Sequence, residues 1–74
     1  LAKHGSVLAV SDAGAGAVLA KAALLAASLN VRINIASMDD AVRAEAYREE
    51  MEELIAAGSA LADDVYADVV ERLG

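Results

Sequence analysis

The feature that most constrains the fold is the absence of proline from a chain of 74 residues that is 58% hydrophobic. Alanine supplies much of the hydrophobic content, and alanine has the highest helix propensity of all residues whereas proline has the lowest. Long alanine-rich segments without proline are typical of helices rather than strands. The sequence therefore predicts an all-α protein in which two long antiparallel helices form part of a bundle.

The first helix is predicted over residues 12–36. Ser11 and Asp12 are typical of a helix start, because serine accepts hydrogen bonds from first-turn amides and a carboxylate interacts favourably with the positive end of the helix dipole. Gly14 and Gly16 each cost about 1 kcal/mol relative to alanine, so they predict a close packing contact or a ligand. One face carries only small residues at spacings of three and four: Gly16, Ala20, Ala23 and Ala27. This small-residue stripe predicts a surface that another backbone approaches closely.

The end of this helix carries three polar side chains, Asn30, Arg32 and Asn34, in an otherwise apolar segment. The alternation alone would suggest a strand. A helix is favoured, because no turn precedes the segment and a lone strand would have no partner. An unpaired buried amide costs about 1–3 kcal/mol, so these side chains should be hydrogen-bonded within a network between helices or to a ligand. The residue types leave both alternatives open.

The second helix is predicted over residues 39–73. Ser37, followed by Asp39 and Asp40, resembles a capping box. The apolar face recurs at spacings of three and four residues and consists of Tyr47, Met51, Leu54, Gly58, Leu61 and Val65, whereas glutamates occupy the other faces. Because Gly58 lies on the apolar face, we interpret it as a close contact within one long helix; a break at Gly58 and Ser59 into two helices is the alternative.

Charge and composition exclude several classes of function. Residues 1–38 carry Lys3, Lys21 and Arg32 against Asp12 alone, so the net charge of −6 arises entirely in the second half. An acidic surface repels phosphate backbones, and we expect no nucleic-acid partner. The chain contains no cysteine, which is consistent with a cytoplasmic protein.

The apolar run Ala13–Leu29 is long enough to raise the possibility of a membrane span. Lys21 lies at its middle, and Asn30, Arg32 and Asn34 follow at once. Charged and amide side chains are unfavourable in a bilayer, and alanine contributes little to insertion. We therefore expect no membrane partner.

Few residues could carry metal or nucleotide chemistry. His4 is the sole histidine, and the acidic pairs of the second half are adjacent rather than at ligand spacing, so no metal is expected. Gly14 and Gly16 match a nucleotide-binding loop only weakly, because a third glycine and a preceding strand are missing. Asp12 lies beside two glycines, where a backbone could approach a ligand, although an ordinary first-turn acid is the simpler interpretation.

Two motifs in a fixed order identify a family. The string Ser-Asp-Ala-Gly-Ala-Gly-Ala at residues 11–17 is followed by an alanine- and leucine-rich helix and by Leu-Asn-Val-Arg-Ile-Asn-Ile at residues 29–35. Ser37 with Asp39 and Asp40 then opens a long acidic helix. Over about residues 11–74 this pattern resembles the carboxy-terminal half of the cyclodeaminase/cyclohydrolase family, a domain fused to formiminotransferase in the animal bifunctional enzyme and free-standing in many bacteria.

The resemblance implies an all-helical, homodimeric enzyme whose substrate is a tetrahydrofolate derivative. Members act as lyases that cyclise formimino-tetrahydrofolate to methenyl-tetrahydrofolate with loss of ammonia, or as hydrolases that open methenyl-tetrahydrofolate; the first reaction is preferred here because the family is named for it. Both reactions move a proton at a one-carbon centre, which a positioned carboxylate can do. The matching positions make Asp12 the candidate catalytic residue and Ser11, Asn30, Arg32 and Asn34 the candidate substrate-binding residues.

One departure from the family affects the expected activity. Family members carry a Pro-Gly-Gly-Gly-Ser loop near the amino end that resembles part of the folate site, and residues 1–74 contain no such loop. The chain is therefore expected to be the carboxy-terminal part of a single cyclodeaminase-like domain and to be inactive alone. A helical dimerisation module without catalytic activity, built on the two apolar faces, is the alternative function.

Overall fold

A computed structural model describes residues 2–74 of the chain, with side chains described from residue 7 onward. It contains two helices, α1 (Ala2–Ala36) and α2 (Ala41–Leu73), and no strand in the described range. The helices pack side by side as an antiparallel hairpin that measures 59 × 16 × 14 Å. The prediction of an all-α pair of long helices is confirmed.

The start of α1 was predicted ten residues too late. Ser11 and Asp12 do not begin the helix, because α1 extends back to Ala2. Both residues are exposed on its surface, where their polar side chains contact solvent. The residues before Ser11 include no proline, so nothing in that segment prevents the helix from continuing.

The connection between the helices uses two polar side chains in different roles. The Ser37 hydroxyl donates to the Asn34 carbonyl at 2.9 Å and belongs to the end of α1. The Asp40 carboxylate accepts from the Arg43 amide at 3.1 Å and is the N-cap of α2. The predicted start of α2 at residue 39 was therefore two residues early, and the cap is Asp40 rather than Ser37.

The contact between the helices repeats with spacings of three and four residues, as in a coiled coil. On α1 the buried and half-buried residues along this seam are Val10, Gly14, Ala17, Lys21, Leu24, Ser28 and Ile35, and Met38 of the connection continues it. On α2 they include Ala44, Arg48, Met51, Ile55, Gly58, Ala62, Val65 and Val69. The main apolar cluster lies near the connection, where Met38 and Ile55 pack against Ile35, Ala44 and Met51.

Two glycines allow close approach of the helices. A Cβ atom added at Gly58 would lie 2.7 Å from Leu24 Cδ2, and one at Gly14 would lie 2.8 Å from Val69 Cγ1. The interpretation of Gly58 as a contact within one continuous helix is confirmed. A Cβ at Gly16 would meet nothing within 4 Å, so Gly14 and not Gly16 packs against α2.

The small-residue stripe of α1 and part of the apolar face of α2 are not covered within this chain. Gly16, Ala20, Ala23 and Ala27 are all exposed. On α2, Met51, Gly58 and Val65 lie in the seam, but Tyr47, Leu54 and Leu61 are 47%, 63% and 67% exposed. The predicted face of α2 therefore divides into a half that contacts α1 and a half that faces outward.

Most of α1, Val7–Ala36, is long and apolar enough to cross a membrane, with a mean hydropathy of 1.5. This finding rests on length and composition alone, and core helices of soluble proteins meet the same criterion. In the hairpin, the helix packs lengthwise against α2, and the Lys21 ammonium near its middle lies 2.8 Å from the Asp63 carboxylate. The expectation that no membrane is involved stays a prediction.

Candidate functional site

A groove of about 490 Å³ lies beside the apolar cluster near the connection. Ligand sites in proteins commonly have volumes of about 300–1,000 Å³ and mostly apolar walls with a few polar groups. The groove is lined on α1 by Leu24, Ala27, Ser28, Val31, Asn34 and Ile35, and beyond α1 by Met38, Tyr47, Glu50, Met51, Leu54 and Ile55. Its volume and mostly apolar lining lie within the range of small-molecule sites.

Three lining side chains can offer hydrogen bonds to a ligand: Asn34, Tyr47 and Glu50. Ser28 also lines the groove, but its hydroxyl already donates to the Leu25 carbonyl at 2.6 Å. An amide, a phenol and a carboxylate at an apolar wall provide both donors and acceptors. The groove therefore combines an apolar wall with both hydrogen-bond donors and acceptors.

The register of the helices places two of these groups, Asn34 and Glu50, at the same height along the hairpin. Lys21 pairs with Asp63, and Arg32 lies 3.8 Å from Glu52. Eleven residues forward along α1 therefore correspond to eleven residues backward along α2. Two residues beyond Arg32 is Asn34, and two residues before Glu52 is Glu50. The amide of α1 and the carboxylate of α2 therefore lie at the same level of the groove.

The polar segment of α1 is helical, as predicted, but its side chains are not buried. Asn30, Arg32 and Asn34 are all exposed, so the interpretation as a buried network between these two helices is wrong. Asn34 lines the groove, and Asn30 is not among the lining residues. The guanidinium of Arg32 points toward Glu52 instead. Of the three, Asn34 alone is among the residues that line this groove.

Ser11 and Asp12 lie toward the other end of the hairpin. Ser11 borders a second groove of about 280 Å³, together with Gly14, Ala15, Val18, Tyr66, Val69, Val70 and Leu73. Asp12 is exposed and lies 22 residues before Asn34 on the same helix, a distance of about 33 Å at 1.5 Å per residue. One copy of the hairpin therefore does not bring the candidate catalytic carboxylate to the groove. Its catalytic role stays a prediction.

Sequence reasoning missed Glu50 and did not single out Tyr47 as a ligand contact. Glu50 was grouped with the glutamates of the solvated face of α2. Its position three residues after Tyr47 and four before Leu54 is the signal that could have separated it, because residues at these spacings share one side of a helix. In the part of the chain that the structure describes, no group of three potential metal-ligating side chains occurs.

Comparison with known proteins identifies the family. The sequence model of formiminotransferase-cyclodeaminase matches residues 1–53, which include the first ten residues and most of the groove. A methenyltetrahydrofolate cyclohydrolase of Methylorubrum extorquens is 36% identical over 73 residues, which is 99% of this chain but 35% of that protein. The chain thus spans about a third of the length of this relative. No solved structure is significantly similar to the chain. The resemblance read from the two motifs is confirmed, and the chain belongs to the formiminotransferase-cyclodeaminase family.

Proposed function

We propose that the hairpin supplies the pterin-binding wall of a folate one-carbon enzyme. The observation that carries this proposal is the apolar groove with Asn34 and Tyr47 on its two sides. A pterin is a flat ring with alternating donors and acceptors on its edge, and such rings suit apolar walls that carry a few fixed polar groups. Membership of the family supports a tetrahydrofolate derivative as the substrate.

Of the two family reactions, we propose hydrolysis of methenyl-tetrahydrofolate to formyl-tetrahydrofolate. The similarity to a methenyltetrahydrofolate cyclohydrolase over nearly the whole chain supports this choice. Cyclisation of formimino-tetrahydrofolate with release of ammonia is the alternative, since the family is named for it. In hydrolysis, water attacks the methenyl carbon and gives up a proton, so a carboxylate base is required nearby.

We propose Asp12 as that base, contributed to the groove of a second copy. Asp12 and Asn34 lie about 33 Å apart along α1, within a hairpin 59 Å long. A two-fold axis perpendicular to the hairpin would place the Asp12 region of one copy beside the groove of the other, because a two-fold axis reverses the direction of the partner. Homodimerisation is thus part of the proposal. Ser11 would accompany Asp12, and Asn30 and Arg32 would lie at the margin of the site.

The Asn34→Leu variant tests the binding site. We expect its affinity for 5-formyl-tetrahydrofolate, measured by calorimetric titration, to fall about tenfold, because an apolar side chain would face the polar edge of the ring. Ala26→Leu introduces the same side chain at an exposed position of α1 outside the groove, and its affinity should change little. Unchanged affinity in a folded Asn34→Leu variant would reject the groove as the folate site.

The second candidate function is a helical association module without catalysis. The observation that favours it is the exposure of Tyr47, Leu54 and Leu61 on one side of α2. Large exposed apolar patches mark interaction surfaces. Sedimentation of Leu61→Glu, a substitution outside the groove, separates the two candidates. If this variant dissociates from a partner copy while titration shows no folate binding by the parent chain, the association module is favoured.

A further inference from the structure

Glu50 has a combination of properties that its glutamate neighbours lack. It is the one carboxylate among the residues that line the groove, and it lies at the level of Asn34. Glu45 accepts from Arg48 at 2.6 Å, and Glu52 lies near Arg32. Among the hydrogen bonds and ion pairs of the described side chains, none involves Glu50. Its carboxylate therefore retains its full capacity to accept hydrogen bonds from a ligand.

A free carboxylate at this point suits one edge of a pterin. The pyrimidine part of the ring presents a ring N–H and an exocyclic amino group side by side, and both are donors. A carboxylate accepts two parallel hydrogen bonds, and bonds to a charged acceptor are about twice as strong as neutral ones. The opposite amide of Asn34 can donate to the neighbouring carbonyl oxygen of the same ring.

The same carboxylate also determines which end of a folate enters the groove. The glutamate tail of a folate is anionic, so it is repelled by Glu50, whereas the ring edge is a donor and is attracted. The apolar side chains of Met51, Leu54 and Ile55 also favour the flat ring over the charged tail, because the ring has apolar faces that they can contact. Charge and shape thus select one orientation.

We propose that Glu50 is the residue that recognises the pterin, by accepting hydrogen bonds from its ring N–H and its 2-amino group. This inference rests on the proposed function and names the pterin atoms that Glu50 recognises by hydrogen bonding. A folate that lacks the 2-amino group loses one of these bonds, and replacing the carboxylate by an amide, whose nitrogen cannot accept, disrupts the same pair. The two losses are therefore not independent.

The experiment combines the Glu50→Gln variant with 5-formyl-tetrahydrofolate and its 2-desamino counterpart. Calorimetric titration should show that Glu50→Gln weakens binding of the parent folate about tenfold or more. The wild-type chain should bind the 2-desamino compound about tenfold more weakly than the parent. Glu50→Gln should bind the two compounds with similar affinity. Glu53→Gln, an exchange on α2 outside the groove, should behave as wild type.

The outcomes separate this inference from the function on which it rests. If the wild type binds 5-formyl-tetrahydrofolate and Glu50→Gln retains both that affinity and the full penalty for the missing amino group, the recognition role is rejected and the folate site stands. Equal weakening by Glu53→Gln would show a general charge effect and would also reject the role. Absence of binding by the wild type would overturn both proposals.

Discussion

The two ends of the hairpin are held together by different means. Near the connection, the large side chains of Ile35 and Met51 are buried between the helices, with Met38 and Ile55 packed against them. At the open end, Gly14 removes a side chain from α1 so that Val69 of α2 packs directly against its backbone. The connection end thus buries a cluster of large apolar side chains, whereas the open end places a glycine against a valine; a second close approach, of Gly58 to Leu24, lies between them.

This difference explains where the candidate site lies. The distance between packed helices depends on the side chains at their contact. A groove of about 490 Å³ lies along one side of the end that carries the cluster of large apolar residues. The groove at the glycine end measures about 280 Å³. Residues of the apolar cluster therefore form part of the wall of the groove that we assign to a pterin.

Among the variants that test the difference between the two ends, Met51→Ala is expected to change the free energy of unfolding most. Met51 is buried and belongs to the cluster near the connection, so its truncation should lower the free energy of unfolding by about 2–3 kcal/mol. Urea denaturation followed by circular dichroism measures the change. Leu61→Ala, at a position that is 67% exposed, is the control and should change stability by less than about 0.5 kcal/mol. Similar losses in both variants would contradict the assignment of the core to the connection end.

The open end of the hairpin, where Gly14 packs against Val69, is tested by replacing Gly14 and Gly16 by alanine in separate variants. Gly14→Ala would place a Cβ 2.8 Å from Val69 Cγ1, and the branched valine side chain has little freedom to move away. Gly16→Ala meets no atom within 4 Å and should gain up to about 1 kcal/mol of helix propensity. Thermal unfolding should therefore separate the two variants by about 2 kcal/mol, with Gly14→Ala the less stable. The reverse order would show that Gly16 faces α2.

The same glycines show how much of the fold the sequence could predict. Alanine content and the missing proline determined the helical class, and the periodicity of α2 placed Gly58 correctly on a contact face. Gly14 and Gly16 lie two residues apart, on nearly opposite sides of a helix. Which of them faces the partner depends on the rotation of α1 about its axis. That rotation is determined by packing across the whole seam, not by the residues near either glycine.

The predicted starts of the two helices were wrong for a related reason. Ser11 and Asp12 have the residue types of a cap, but a cap requires that the preceding residues leave the helix, and the local motif does not show whether they do. At the connection, the aspartate that caps α2 was within the predicted motif, yet the serine was assigned the role. Whether Ser37 or Asp40 caps α2 depends on the residue at which α1 ends.

The candidate site was predicted in part. Asn34 was identified because an amide is unusual in an apolar segment, and the structure places it at the groove. Glu50 was hidden among similar residues, because five glutamates occur between residues 45 and 53 and composition does not distinguish them. Only the register of α1 against α2 shows which glutamate lies opposite Asn34. That register is a property of tertiary packing.

A smaller effect is expected at the connection itself. Asp40→Ala removes the acceptor for the Arg43 amide and should cost about 1 kcal/mol of stability, as typical for loss of an N-cap. Asp39→Ala changes the neighbouring carboxylate, which does not cap the helix, and should cost less. Denaturant midpoints of the two variants provide the measurement. If Asp39→Ala were the more damaging, the cap would be one residue earlier than the structure shows.

The smallest effect is expected between the two ends, at the ion pair of Lys21 and Asp63. Both side chains are partly exposed, at 36% and 63%, and exposed pairs contribute at most about 1 kcal/mol. Asp63→Asn should therefore lower stability slightly in dilute buffer, and the difference from wild type should vanish near about 1 M salt, where the Debye length is about 3 Å. Asp64→Asn removes the same charge from the adjacent residue and controls for net charge. A deficit that persists in salt would mean that Lys21 is held in the seam by more than its charge, and the middle of the hairpin would then resemble the packed end near the connection.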